Sequence, residues 1–240
     1  MGKSSVRAAR AGVAGTIEKI ATGIPGFDSI TGGGLPHGRT TLLLGGPGSG
    51  KTVFALEFLV HGAGAYEDPG IFVAFEETSQ RILANANSFG WNLPKLQRSK
   101  LSFVDAQPAP DLVQSGAFDL GGLLAVLQVK VEQTGARRIV FDALDVVLAL
   151  LDDPATRRTE TYRLHEWLLA QGLTAIITAK AHSDETSSTG QETFGFMQFM
   201  VDCAVVLRVR LEIQGCAFLR SMLPPIATRI MACETSMRFS

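Results

Sequence analysis

Short apolar runs separated by longer stretches of mixed polarity recur along the chain from residue 40 onward. Residues 40–44, 71–75, 101–104, 138–142, 174–178 and 204–207 are nearly continuous in apolar side chains instead of alternating. That pattern predicts strands of a parallel sheet covered on both faces. Between them, residues 52–62, 79–88, 120–133 and 159–171 predict helices. The last of these brings Tyr162, Leu164, Trp167 and Leu168 near one another and leaves Arg158, Glu160 and Glu166 for solvent. Strand–helix–strand alternation at this spacing implies right-handed crossovers and a doubly wound α/β sheet. Pro108, Pro110 and the Ser115–Gly116 pair mark an irregular connection, and residues 181–193 a polar loop. The first fifteen residues, with Lys3, Arg7 and Arg10, read as a flexible basic tail. No internal repeat appears, so residues 16–240 are expected to form one domain.

Composition narrows the class. Hydrophobic residues make up 46% of the 240 and charged residues 19%, which suits a soluble domain with a sizeable core. A formal charge of −1 disfavours a sequence-independent grip on nucleic acid. Three well-separated cysteines, Cys203, Cys216 and Cys233, show no CxxC or metal-ligand spacing and point to a reduced, cytoplasmic setting. No apolar run follows the basic start, and none reaches the roughly 20 residues of a membrane helix, so neither a signal peptide nor a membrane is expected.

The most informative stretch is residues 45–52, GGPGSGKT, which fits G-x-x-x-x-G-K-[ST]. The pattern arises by chance in about one in a hundred chains of this length. Gly45, Gly46, Pro47, Gly48, Ser49 and Gly50 would turn successive backbone N–H groups onto an anion. Lys51, Thr52 and Val53 open the helix that follows, whose N-terminus adds its positive dipole end. Lys51 supplies a charge for the β- and γ-phosphates, and the Thr52 hydroxyl an oxygen for Mg²⁺. ATP and Mg²⁺ are therefore the expected cofactors.

Carboxylates belong near such a loop. Asp142 ends the strand RIVFD and is the candidate magnesium acid, directly or through water, with Asp145 as an alternative three residues on. Glu76 and Glu77 follow the strand at 71–75, where ligands of open α/β sheets bind. One of them could orient and deprotonate the water that attacks the γ-phosphate.

The run TGIPGFDSITGGGLPHGRTTLLLGGPGSGKTVFALEFL resembles the opening of KaiC domains, as do GIFVAFEETSQRILANANSFGWNLPKL, RIVFDALDVVL, RTETYRLHEWLLAQGLTAIIT and VDCAVVLR. The resemblance covers about residues 22–208 in order and spacing. It implies a three-layer RecA-like P-loop NTPase fold, α/β, with a mostly parallel central sheet flanked by helices. It further implies that Lys51 and Thr52 serve phosphate and magnesium, that Glu76 and Glu77 are the catalytic pair, and that Asp142 is the Walker-B acid. By the same likeness Ser88 lies beside the nucleotide and Thr178 is a polar sensor at a strand end. Relatives form hexameric rings with ATP between subunits, so a homohexamer is expected, with a regulatory protein as a further partner.

Members of the family that phosphorylate themselves carry a Ser-Thr pair where this chain has Gln198 and Phe199, so a hydrolytic domain is expected instead. After Arg208 the likeness fades. Arg220, with Arg229 behind it, is the candidate trans-acting arginine, and Pro224–Pro225 fit poorly in a central strand. Two other readings compete with slow ATP hydrolysis. One is a DNA-dependent motor, disfavoured because the loop at 181–193 lacks Lys and Arg and carries Asp184, Glu185 and Glu192. The other is a nucleotide-gated scaffold whose output is assembly.

Overall fold

The computed structural model describes residues 17–108, 120–151, 153–181, 197 and 200–208. The basic tail, Pro110, Ser115–Gly116, residues 182–193, Gln198, Phe199, Cys216, Cys233, Arg220, Arg229 and Pro224–Pro225 lie outside the described residues.

Six strands form one sheet in which every described pairing is parallel: β3 (Thr40–Gly45), β4 (Gly70–Ala74), β5 (Leu101–Asp105), β6 (Arg138–Asp142), β7 (Thr174–Lys180) and β8 (Cys203–Leu207), in the order β5-β4-β6-β7-β3-β8. Each predicted strand is present. Their unbroken apolar character follows from a core on each face. Leu42, Leu44, Ile71, Val73, Ile139, Phe141, Ala175 and Ile177 point to one core. Leu43, Phe72, Ala74, Val140 and Ile176 point to the other. Alternate side chains thus take opposite faces, as the pleat requires, and both faces are covered.

The helices divide according to the direction in which the chain crosses the sheet. The path from β3 out to β4 and β5 carries α2 (Lys51–Ala65), α3 (Ser79–Ala86) and α4 (Leu93–Gln97), which pack with α1 (Phe27–Ile30) into the second core. On the way back through β6 and β7 the chain carries α5 (Leu120–Thr134), α6 (Leu144–Leu148) and α7 (Pro154–Gln171), which cover the first. Right-handed crossovers in two opposite directions put helices on both faces. The result is the expected three-layer α/β arrangement.

Several details differ from the sequence reading. A two-stranded antiparallel pair, β1 (Lys19–Ile20) with β2 (Leu35–Pro36), precedes the main sheet and is too short for a periodic signal. Helix α7 begins at Pro154, ahead of the predicted residue 159. Asp153 caps it by accepting the N–H groups of Ala155 (3.2 Å) and Thr156 (2.9 Å), and proline suits the first helical position. On that helix Glu160 is 6% exposed and Tyr162 53%, the reverse of the expected amphipathic split. The Glu160 carboxylate is satisfied inside, accepting the Leu120 N–H (3.2 Å) and pairing with Arg163 (3.0 Å). Ordering the start of α5 therefore accounts for its burial.

At the amino end of β6, Arg138 is wholly buried. Its guanidinium donates to Asp68 Oδ2 (2.9 and 3.2 Å), Ala21 O (3.1 Å) and Phe58 O (3.1 Å), and lies over the Phe58 ring. Gly62 makes room for it: a Cβ there would sit 2.6 Å from Arg138 Cδ and Nε.

Candidate functional site

The loop between β3 and α2 fixes the site. Gly48 (φ 71°) and Gly50 (φ 88°) take left-handed conformations that side chains resist, and this curls the backbone ahead of the helix. The first internal helix bond runs from Phe54 N to Gly50 O (2.9 Å), so the N–H groups of Lys51, Thr52 and Val53 stand ahead of the ladder. Pro47 and Gly48 are exposed, while Ser49 is buried with its hydroxyl unpartnered. Around Gly46, Gly48 and Gly50 there is open space where a Cβ would point.

Lys51 Nζ donates to the carbonyls of Gly45 (2.7 Å) and Gly46 (3.0 Å). Burial lowers its pKa; the carboxylates of Asp145 and Asp142 oppose that, and the Lys180 ammonium adds to it. Thr52 Oγ1 donates to Asp142 Oδ2 (3.0 Å), and Thr178 Oγ1 donates to Asp142 Oδ1 (2.7 Å). Burial pushes the Asp142 carboxyl up, although both hydroxyls and Lys51 pull it down. The Thr178 hydroxyl in turn accepts the N–H of Ala143 (2.8 Å), a residue in the left-handed region at φ 65°. That turn starts α6 and brings Asp145 back to the crevice, where its Oδ2 accepts the Lys180 N–H (3.3 Å) and its Oδ1 is buried without a partner. Burial raises the Asp145 carboxyl as well.

The two adjacent glutamates part company. Phe75 N–H donates to Asp142 O (3.2 Å), holding the end of β4 beside β6 with Glu76 one residue beyond. Glu76 Oε1 accepts from Lys180 Nζ at 2.9 Å, a bond that raises the lysine's pKa. Glu77 instead pairs with Arg81 of α3 (3.1 Å), and its carbonyl accepts from Gln107 Nε2 (2.9 Å). Lys51, Thr52, Asp142, Thr178 and Glu76 thus converge on one crevice at the carboxyl edge of the sheet, while Glu77 faces α3. Ser88 is exposed in a short 3-10 turn, its hydroxyl donating to Asn85 O (3.2 Å), and no described hydrogen bond ties it to the loop. Lys180 was missed because β7 was expected to end at Thr178; a lysine closing an apolar strand was the available signal. Among the described residues no helix is long and apolar enough to cross a membrane, and no group of three His, Cys, Asp or Glu could hold a metal.

A parallel sheet with a glycine-rich loop, a lysine–threonine helix start and a strand-end aspartate defines a P-loop ATPase domain of the RecA-like α/β class. The model of the family described as ATPase, KaiC matches residues 20–232. The chain belongs to the KaiC ATPase family. It is 42% identical over 198 residues to the circadian clock oscillator protein KaiC of Thermostichus vulcanus, covering 82% of this chain and 38% of that one. To the circadian clock protein KaiC2 of a Synechocystis species it is 39% identical over 191 residues, 79% of this chain and 33% of the relative. The chain therefore spans less than two fifths of these relatives. A KaiC-like protein from Pyrococcus horikoshii OT3, whose crystal structure superposes with a TM-score of 0.67, shares 31% identity over 80% of this chain and 81% of its own.

Proposed function

We propose that this chain binds Mg-ATP in the crevice and hydrolyses it slowly, as one subunit of a homohexameric ring with nucleotide between neighbours. The observation that carries this reading is the hydrogen-bonded row Thr52–Asp142–Thr178 set against the P-loop. The donor set fits the expected ligand: open backbone N–H groups and Lys51 suit phosphate oxygens, and a hydroxyl beside a carboxylate suits a hard cation. Bound magnesium would neutralise charge on the terminal phosphates.

Each residue has a task under this reading. The loop and Lys51 hold the phosphates, Thr52 and Asp142 hold the cation directly or through water, and Thr178 orients the Asp142 carboxylate. Glu76 is the better-placed water activator of the pair, since its carboxylate lies near enough to Lys51 and Asp142 to act on their charges, while that of Glu77 pairs with Arg81 of α3. Without nucleotide the Glu76 carboxylate is engaged by Lys180. Arg220 remains the candidate arginine supplied to a neighbour's nucleotide. The relatives' names support a role in clock-like regulation.

The test is phosphate release from Mg-ATP by wild type and Lys51→Ala, with particle mass followed in the same samples. Slow release that the substitution abolishes, with an ATP-dependent hexamer, supports the proposal. Assembly on ATP without phosphate release would favour the scaffold reading, and release unaffected by Lys51→Ala would sink the site assignment.

A further inference from the structure

Among the described residues Lys180 is a second cation of the crevice, beside Lys51, and one that the P-loop pattern does not include. It stands opposite Gly45 in the β3–β7 register, at the last strand residue before the loop. The next N–H along the chain, that of Ala181, donates to Gly45 O (3.1 Å), the carbonyl that also accepts from Lys51 Nζ (2.7 Å). The backbone of Lys180 is held by Asp145 Oδ2 (3.3 Å), and its ammonium by Glu76 Oε1 (2.9 Å). Two lysines of the same chain thus flank one strand end, close enough that the Lys180 charge opposes that of Lys51, with Asp145 and Glu76 alongside. The Lys180–Glu76 pair is about half exposed, so it is held weakly and its partners can be exchanged. A terminal phosphate brings further negative charge to the same edge, and a phosphate oxygen competes with a carboxylate for an ammonium.

Resting on the reading of this crevice as an ATP site, we propose that Lys180 is a ligand of the terminal phosphate supplied in cis, exchanging Glu76 for a γ-phosphate oxygen when ATP binds. No covalent step is involved; one ion pair replaces another. The exchange has two results. The site prefers ATP to ADP through a residue of its own chain, and the Glu76 carboxylate is released to orient water only when there is a γ-phosphate to attack.

The test compares binding of Mg-ADP with that of the magnesium complex of the β,γ-imido analogue of ATP, by calorimetry, for wild type, Lys180→Met and Lys180→Arg. Lys180→Met should weaken the analogue about tenfold, the size of one lost charge-assisted contact, and change ADP by less than about twofold. Lys180→Arg should recover most of the preference. Because the pair is half exposed, removing the lysine leaves no buried charge, and Lys180→Gln gives a second reading of the same ratio should the methionine variant not fold. An unchanged ratio, or equal loss for both nucleotides, overturns the proposal while leaving the ATP site intact. Failure of the wild type to bind either nucleotide would overturn the ATP site itself and this inference with it.

Discussion

Thr178 and Asp142 are joined across the ends of neighbouring strands by a 2.7 Å hydrogen bond, and the same hydroxyl accepts the Ala143 N–H at 2.8 Å. A single buried oxygen therefore orients the carboxylate and satisfies the backbone of the turn that follows it. Thr178→Val keeps the shape and removes both bonds. It should cost about 1–3 kcal/mol in urea denaturation and weaken binding of magnesium nucleotide. A cost under about 0.5 kcal/mol would mean that neither bond matters to the fold.

The pH dependence of stability should carry the signature of buried carboxyls. Burial raises Asp142 and Asp145 above their ordinary aspartate value. A group that holds its proton more tightly when folded contributes stability at pH below its unfolded pKa, and that contribution is lost as the pH climbs through the raised folded value. Asp142→Asn escapes that loss at one of the two positions. Without nucleotide it should melt above wild type at pH 7, and the advantage should close as the pH falls toward about 4, the ordinary aspartate range. A lower melting temperature at pH 7 would show that the lost acceptor outweighs the buried charge.

The adjacent glutamates should separate kinetically. Glu76→Gln is expected to reduce phosphate release by about 10²–10⁴, the usual contribution of a positioned base, with nucleotide affinity nearly kept. Glu77→Gln loses its ion pair with Arg81 and should cost less than about tenfold. Equal effects, measured by single-turnover phosphate release, would argue that the two share the task.

The buried arginine should be the most sensitive structural point. Asp68→Ala leaves Arg138 charged without its carboxylate and should cost about 3–5 kcal/mol. Gly62→Ala forces a methyl onto the guanidinium and should cost about 1–3 kcal/mol. Both are read from chemical denaturation midpoints. Tolerance of Gly62→Ala would mean that Arg138 can move aside.

Much of this was legible in the sequence. The strands were clear because side chains such as Leu42 and Leu43 are both buried, on opposite faces, so the whole strand is apolar. The strand–loop–helix placement of residues 45–52 and the strand-end position of Asp142 were legible because residue type and spacing are set by local chemistry. What was not legible depends on distant partners. Glu160 looks like a surface residue until the start of α5 is placed against it. The choice between Glu76 and Glu77 needs Lys180 and Arg81, which lie 104 residues downstream of the first and one helical turn from the second. The pair β1–β2 is two residues a strand, below any periodic signal.

Strand β6 carries a structural cation at one end and a chemical anion at the other. Its five residues hold Arg138 and Asp142 about 13 Å apart. Perturbations at that separation add independently. The fold's most costly electrostatic anchor can therefore be weakened or strengthened without retuning the carboxylate, so thermal robustness and catalytic rate are free to drift separately within one short segment of chain.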